Sequence, residues 1–449
     1  MLPTDNQLDL NNEEFQTAFE LIKETNCPIF LTGKAGTGKS TFLRYISSHT
    51  KKSHVIVAPT GIAALNVGGQ TIHSFFQLPL GPILPKDERI MHIKLNPNKR
   101  KLVQKMELLI IDEVSMVRAD LMDAIDFFLR YWRQDPTPFG GVQLMLVGDM
   151  FQLEPVTTRD DWEGLKIHYT SPYFFNSLVA KQIDLISIEL QKIYRQHDKY
   201  FINLLNRVRD NTADWDDMEM INQRLVDLSE FVEDEKIFIT LSTTRNKADI
   251  INKDRLAKLE AEPLTFNGEI QGSYPLNKLP TDLDLKLKIG AQIMFVKNDL
   301  NGRRYMNGTL GIIDSLEHDG IKVRLQNESI IKVGKYISEN AQYKYDPAEG
   351  RIKEVVIGKF TQYPIRLAWA VTIHKSQGLT FENIYIDTDK GAFAGGQIYV
   401  ALSRCTSLEG IILRTPIRRQ DIITNQQVIE FYEDVNNFGK IKDALGLDY

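Results

Sequence analysis

The stretch PIFLTGKAGTGKSTFLRYI (Pro28 to Ile46) decides the architecture. It opens with an apolar run too short for a helix, passes through a glycine-rich turn and continues with apolar residues three and four apart. That is strand, loop and helix in order. The loop fits GxxxxGK[ST], with Gly33, Gly38, Lys39 and Ser40 in register. Glycines such as Gly33, Gly36 and Gly38 let the backbone turn tightly, so that the amides around Thr37, Lys39, Ser40 and Thr41 face inward, where the helix N-terminus adds a favourable field for phosphate. In such a loop Lys39 meets the β and γ phosphates of ATP, and Ser40 offers a hydroxyl to Mg²⁺.

Outward from this loop, SHVIVAPT, ELLIIDEV and VQLMLVGD are continuous apolar runs, as expected of parallel strands covered on both faces. Amphipathic stretches such as RADLMDAIDFFLRYWRQ separate them, which makes the first lobe an α/β unit over residues 1–185. A second α/β unit is expected over 186–291 and 361–425, starting near ISIELQKIYRQ. Within it the pattern turns all-β: QIMFVKND, GTLGIIDSL, IKVRLQN, SIIKVGK and EVVIGKF suggest a small β-barrel inserted at 292–360. A helical stretch over 426–449 closes the chain. The fold class is therefore α/β, with two parallel-sheet lobes.

Composition narrows the function classes. No apolar run approaches the roughly 18 residues of a membrane span, so a membrane partner is not expected. The first residues are acidic and polar, unlike a sorting signal, which points to the cytoplasm of a bacterium. The two cysteines, Cys27 and Cys405, have no metal-binding spacing. With 54 Lys plus Arg against 59 Asp plus Glu, the net charge of −5 argues against bulk electrostatic coating of nucleic acid and for binding in a groove. Basic clusters at NPNKRKLVQK (96–105) and NGRRYMNG (301–308) are either solvated surface or phosphate contacts.

Further candidates follow from position. LLIIDEV delivers Asp112 and Glu113 to the sheet's C-terminal edge, Asp112 suited to Mg²⁺ and Glu113 to polarising water. Gln152, after VQLMLVGD, is placed to sense a γ-phosphate or position that water. Gln16, on the helix before the P-loop strand, could read an adenine edge. Arg195 and Arg404, read as second-lobe residues, could neutralise developing γ-phosphate charge in a cleft that closes on ATP.

Seven motifs in order, from GKAGTGKST through APTGIAALNVGGQTIHSFF, LLIIDEVSM, PFGGVQLMLVGDMFQLEPV, LQKIYRQHD and WAVTIHKSQGLTF to YVALSRCTSLEG, resemble the superfamily one, petite-integration-frequency (PIF-type) DNA helicases. One departure is Glu154, where the family pattern has Pro. The resemblance implies two RecA-like lobes, a wedge insertion at about 76–95 and an SH3-like barrel. It further implies ATP and Mg²⁺ as cofactors, with Gly378 added to the nucleotide site. The implied activity is 5′-to-3′ translocation on single-stranded DNA, with unwinding of duplexes, forks and G-quadruplexes in genome maintenance. The implied partners are single-stranded DNA and DNA junctions, bound by a nucleoid-associated monomer able to dimerise on DNA.

The tripeptide Thr-Ile-His occurs twice, at Thr71 and Thr372. Each copy is expected on a loop that grips the DNA backbone, with Thr60, Gly61 and His73 in the first lobe and Thr372, His374 and Ser376 in the second. Phe75 and Phe76 are candidates for base stacking, with core packing the alternative for one of them. FQLPLGPILP (76–85) has prolines every third residue and cannot be an ordinary helix. Its Leu78, Pro79, Leu80, Gly81 and Pro82 are expected to project as a strand-splitting wedge with Leu78, Leu80 and Ile83 as its apolar face, the alternative being a proline-rich loop packed on the first lobe.

Overall fold

The computed structural model describes residues 9, 11–196, 198–226, 237–276, 279–299, 304–317, 320–346, 351–389 and 391–435. The chain divides into two compact units: Met1–Arg195 with Tyr343–Val355 and Thr424–Tyr449, and Gln196–Gln342 with Val356–Ile423.

In the first unit the strands are β1 (Ile29–Gly33), β2 (His54–Ala58), β3 (Gln70–Thr71), β4 (Leu108–Ile111), β5 (Gln143–Val147) and β6 (Ile186–Leu190). They form one parallel sheet in the order β3-β2-β4-β5-β1-β6. Successive side chains of a strand point to opposite faces. Ile29 and Leu31 therefore enter one core with Leu108, Ile110 and Met145, while Phe30 enters another with Leu109, Ile111 and Leu144. Helices α1 (Glu13–Glu24) and α2 (Lys39–His49) supply Phe15, Ala18, Phe42 and Ile46 to the first core. On the other face α4 (Ile72–Phe76), α5 (Glu88–Met91), α6 (Pro97–Lys105) and α7 (Ala119–Arg133) enter the second core, whereas α3 (Gly61–Asn66) ends at Val67 of the first core and α8 (Arg159–Leu165) packs Leu165 with Ala119 and Tyr169. The inward residues on α7, Leu121, Met122, Ile125, Phe128 and Leu129, fall at helical spacing.

The sheet corrects the expected boundary at residue 186. ISIEL is β6, paired with β1 from Ile29↔Ile186 to Gly33↔Leu190, so it belongs to the first unit, as does Arg195. As an edge strand it is buried at alternate positions, and nothing in its own pattern says which sheet it joins.

The second unit begins with α9 (Lys199–Arg209), α10 (Trp215–Asn222), β7 (Ile239–Ser242) and α11 (Arg245–Lys258), and continues through β8 (Leu264–Asn267), β9 (Glu269–Gly272) and β10 (Asp284–Leu287). Then follow β11 (Gln292–Phe295), β12 (Leu310–Glu317), β13 (Gly320–Leu325), β14 (Ile330–Val333), β15 (Tyr336–Asp346), β16 (Arg351–Gln362) and β17 (Ile365–Leu367). Last come β18 (Ala370–Thr372), β19 (Ile384–Asp387), α12 (Gln397–Leu402) and β20 (Ile411–Leu413). A four-stranded parallel sheet, β18-β7-β19-β20, forms the α/β part.

The expected five β-runs divide differently. The antiparallel sheet is β14-β13-β12-β11-β17, so its fifth strand is Ile365–Leu367 and not EVVIGKF. EVVIGKF lies in β16, within a separate three-stranded sheet β15-β16-β9, and the insertion runs past residue 360. Asn301–Arg303 of the second basic cluster lie outside the described residues.

The last helix, α13 (Gln426–Val435), belongs to the first unit, where Val428 and Tyr432 enter the second core and Phe431 stacks on Phe175 at 4.4 Å. Residues 436–449 of the expected closing helix lie outside the described residues.

Candidate nucleotide and DNA-gripping sites

β1 ends at Gly33, where a Cβ would lie 2.8 Å from the Leu190 carbonyl oxygen and from Thr37 Oγ1. Only glycine fits there. Gly36 and Gly38 have φ of 86° and 88°, in the left-handed region that favours glycine. Gly38 also caps α2 without a side chain, which leaves the first N–H groups of the helix for an anion, and the first turn carries no acid. The Lys39 ammonium donates to the carbonyls of Gly33 (2.5 Å) and Lys34 (3.0 Å), so it lies within the loop. Thr37 is buried and its hydroxyl donates to the Lys34 carbonyl, whereas Ser40 is exposed.

Two neighbours frame the loop. Phe15 of α1 stacks on Phe42 at 4.8 Å, and its ring comes within 3.3 Å of a Cβ placed on Gly38. That brings Gln16, exposed on α1, beside the loop. The Tyr194 N–H donates to the Gly36 carbonyl at 2.8 Å. Arg195 is therefore one residue from a direct contact with the P-loop, within the same unit.

Asp112 follows β4 and is buried. Burial and the adjacent Glu113 carboxylate push its carboxyl well above the usual range, and the Lys39 ammonium opposes the shift. Glu113 sits at φ 50°, a left-handed backbone that costs a non-glycine residue about 1 kcal/mol or more. The strain turns the chain sharply after Asp112 into a short 3₁₀ turn (Val114–Met116).

Gly148 and Asp149, which sequence reasoning did not single out, shape the segment that leads to Gln152. A Cβ on Gly148 would lie 3.0 Å from the Val114 N, so glycine there lets the end of β5 approach the turn that carries Glu113. Asp149 is fully buried and accepts from the Phe151 N–H. Its backbone carbonyl accepts from the Gln152 N–H at 2.9 Å, and its carboxylate accepts loosely from the Gln152 side-chain amide at 3.5 Å. An acidic residue directly after an apolar strand was the available signal. Glu154 accepts a hydrogen bond from the Tyr173 hydroxyl at 3.1 Å.

In the second unit Arg404 is fully buried. Its Nε donates to the Val400 carbonyl at 2.9 Å and one terminal nitrogen to Ser403 Oγ at 2.8 Å, while the other reaches the carbonyls of Ser376 and Leu379 at 3.4–3.5 Å. The guanidinium thus ties α12 to the segment after β18. Gly378, in that segment, is exposed with φ 79°.

The two Thr-Ile-His copies occupy matching places. Thr71 ends β3, the edge strand of the first sheet, and its hydroxyl accepts from the Ser74 N–H at 3.3 Å. Thr372 ends β18, the edge strand of the second sheet, and its hydroxyl accepts from the Lys375 N–H at 3.1 Å. In both, a strand gives way to a short helical turn braced by the threonine hydroxyl: Thr71 is the cap of α4, whereas Thr372 stands one residue before Ile373, the cap of the 3₁₀ turn His374–Ser376. Thr60 does the same after β2, accepting from the Ala63 N–H at 3.2 Å, and a Cβ on Gly61 would meet open space.

His73 and His374 are each partly buried. Burial holds the His73 imidazole below its ordinary 6.5, with Arg118 pushing the same way, and burial alone lowers His374. Both rings are therefore neutral at pH 7 and donate through N–H. Because their folded values are lowered, stability from these sites is full above pH 6.5 and is lost as the pH falls below it. Melting at pH 7.5 and 5.5 should show that loss, and it should shrink when either histidine becomes glutamine.

Three site expectations need correction. Phe75 is fully buried, edge-on to Phe76 at 4.8 Å and to Tyr343 at 6.0 Å, so its ring is core and not a base platform. Ser376 is fully buried and its hydroxyl donates to the Ile373 carbonyl at 2.8 Å, which spends it on its own turn. In the wedge segment Leu78 and Ile83 belong to the core; of the expected apolar face Leu80 alone, 83% exposed, points outward, with Leu84 half-exposed further along the segment. The segment is strapped down. Arg118 donates to the Gly81 carbonyl (2.7 Å) and clamps the buried Asp120 (2.7–2.8 Å), which accepts from the Ile83 N–H (2.9 Å). Arg89 donates to the Pro82 carbonyl, and Pro79 is partly buried.

Comparison with known proteins agrees with this geometry. A family model described as PIF1-like helicase matches residues 9–219. The ATP-dependent DNA helicase Pif1 of Campylobacter jejuni is 32% identical over 401 residues, which cover 84% of this chain and 87% of that protein. The crystal structure of Bacteroides sp. Pif1 in complex with ADP-AlF4 is 42% identical with a TM-score of 0.87, covering 96% of this chain and 98% of that one. Bacteroides Pif1 bound to ssDNA is 42% identical with a TM-score of 0.69, covering 95% and 97%. The chain spans 57% to 65% of the length of the curated eukaryotic relatives it matches. A P-loop, a carboxylate pair and a buried glutamine at the ends of three strands, together with this similarity along nearly its whole length, place the chain in the PIF1-like helicase family.

Proposed function

We propose that the protein is an ATP-dependent DNA helicase that moves 5′ to 3′ along single-stranded DNA and opens duplexes, forks and G-quadruplexes as a monomer. The observation that carries the reading is the repeated turn in which a threonine hydroxyl at a strand end accepts from the N–H three residues on. One nucleotide site, on the first sheet, is accompanied by matching turns at the edge of each sheet. A motor that steps along a backbone needs one fuel site and two grips.

In the nucleotide site, Lys39 and the amides of α2 hold phosphate, Glu113 takes a proton from water, and Gln152 holds that water or reads the γ-phosphate. Mg²⁺ fits the donors present: the buried Asp112 carboxyl is uncomfortable beside Glu113, a cation would relieve it, and Ser40 offers a hydroxyl. Such an ion would neutralise phosphate charge. Arg195 adds positive charge beside the loop. On the DNA side, the grips rest on Thr60, Gly61, His73, Thr372 and His374, and the wedge is reduced to Leu80 with its neighbour Gly81.

The test is ATP turnover with and without an oligonucleotide, followed by strand displacement on duplexes with a 5′ or a 3′ tail. Turnover that ignores DNA, or opening from the 3′ tail alone, would overturn the reading. Leu80→Ser, which changes only the exposed tip, should leave DNA-stimulated turnover near normal and slow duplex opening. Opening each base pair costs roughly 1.4 kcal/mol of stacking, so losing a passive block to re-annealing is expected to matter several-fold.

A further inference from the structure

The hydroxyl of Tyr432 lies 2.6 Å from Thr32 Oγ1 and accepts from the Met150 N–H at 3.3 Å. Thr32 directly precedes Gly33 of the P-loop, and Met150 lies two residues before Gln152. The same ring stacks on Phe151, with centroids 5.0 Å apart and planes 20° from parallel. One side chain of the last helix therefore bridges the C-terminal ends of β1 and β5, adjacent parallel strands that carry the phosphate loop and the glutamine. Its own placement is firm: α13 packs Phe431 on Phe175 and Val428 into the core, and Gln427 accepts from the Asn176 amide at 3.0 Å.

We infer that Tyr432 is a positioning residue for ATP hydrolysis, its hydroxyl fixing the distance between the P-loop and Gln152. The inference rests on the first unit being the ATPase. Gln152 must hold a water or read a γ-phosphate to within a fraction of an ångström, yet it lies on an irregular segment after β5 whose only strand neighbours are β4 and β1. Parallel pairing between β1 and β5 spans Ile29↔Met145 to Leu31↔Val147 and stops short of both functional loops. Beyond that point the Tyr432 hydroxyl makes the cross-tie. It can accept from the Met150 N–H and donate to Thr32 in the same arrangement, so both lone-pair and proton are used. A displacement of about 1 Å at such a site can cost on the order of a hundredfold in rate, so a single hydrogen bond that suppresses part of it is worth keeping.

The experiment uses the full chain with Tyr432→Phe, Thr32→Val and the double substitution, reading DNA-stimulated kcat, KM for ATP, ADP affinity and melting temperature beside the wild type. Phenylalanine keeps the stack on Phe151 and removes only the hydroxyl. Tyr432→Phe is expected to lower kcat roughly five- to tenfold, the worth of one hydrogen bond, with ADP affinity and KM within about twofold of wild type. Thr32→Val should do the same, and the double substitution should be no worse than either alone, since both break one tie. Wild-type kcat per folded molecule in Tyr432→Phe, whatever happens to melting, would overturn the inference. So would losses that multiply in the double variant, or a rise in KM matching the fall in kcat. Should Tyr432→Phe fail to fold, Thr32→Val decides by the same split of kcat from KM. A wild-type chain with no ATP turnover would instead sink the functional reading, and the inference with it.

Discussion

Glu113→Gln is expected to lower DNA-stimulated ATP turnover by about 10²- to 10⁴-fold, the usual contribution of a positioned general base, while nucleotide still binds. The phosphate cradle does not involve this side chain: it is built from Gly33, Gly36, Gly38, Lys39 and the start of α2. Removing one carboxylate also removes a like charge beside Asp112, so the Asp112 carboxyl should fall back toward its ordinary range. Nucleotide affinity should then hold or improve. Rapid-quench turnover and equilibrium binding of a labelled ATP measure the two halves separately. A variant that turns over at the wild-type rate would remove Glu113 as the base. The strained backbone at this position, φ 50°, fits a residue whose placement is held by its surroundings against its own preference.

Phe75→Ala is expected to destabilise the first unit by about 3–5 kcal/mol, the cost of emptying a buried aromatic site. In melting terms that is roughly 10 °C for a unit of this size. The ring is fully buried between Phe76 and Tyr343, with the Lys99 ammonium over its face at 3.2 Å. DNA affinity, measured below the melting range, should be nearly unchanged. Full stability with weakened single-strand binding would restore the base-stacking role that the sequence suggested.

Phe75 also shows where the sequence could have been read better. Ile72, Phe75 and Phe76 fall at i, i+3 and i+4, the period of one buried helical face, and that is how α4 uses them. The P-loop, the acidic pair and strands β1, β2, β4 and β5 were legible because their signals are local: glycines that a tight loop requires, and apolar runs that only a sheet covered on both faces would bury; the two-residue β3 carries no such run and was not foreseen. β6 was misassigned because partnership in a sheet is non-local, and an edge strand buried at alternate positions reads the same wherever it pairs. The fifth strand of the antiparallel sheet was misplaced for a related reason. EVVIGKF and the three residues Ile365–Leu367 are both β-rich, and only pairing with β11 separates them. Leu78 and Ile83 looked like an exposed apolar face, but both enter the core, and the Arg118–Asp120 pair holds the backbone of Gly81 and Ile83. A buried carboxylate that receives a distant main-chain N–H leaves no mark in the sequence around that N–H. Tyr432, which receives the Met150 N–H from across the sequence, acts through a contact of the same kind.

The capped turns carry a consequence for how a backbone-gripping surface would look to a mutational survey. Thr60, Thr71 and Thr372 each commit the side-chain oxygen to the protein's own main chain, and Gly61 has no side chain to remove. What such turns leave for a passing phosphate is largely their peptide N–H groups, which every residue except proline possesses. Stripping side chains one by one would erase little of that surface, and a scan with alanine would report near-silence at the places that matter most. The losses it did register at the three threonines would be losses of turn geometry. Replacing single peptide bonds by esters, which deletes one N–H and spares the side chain, is the perturbation to which a grip of this kind would answer. The same feature makes the surface indifferent to base identity, because a peptide N–H meets the same phosphate oxygen whatever letter it carries.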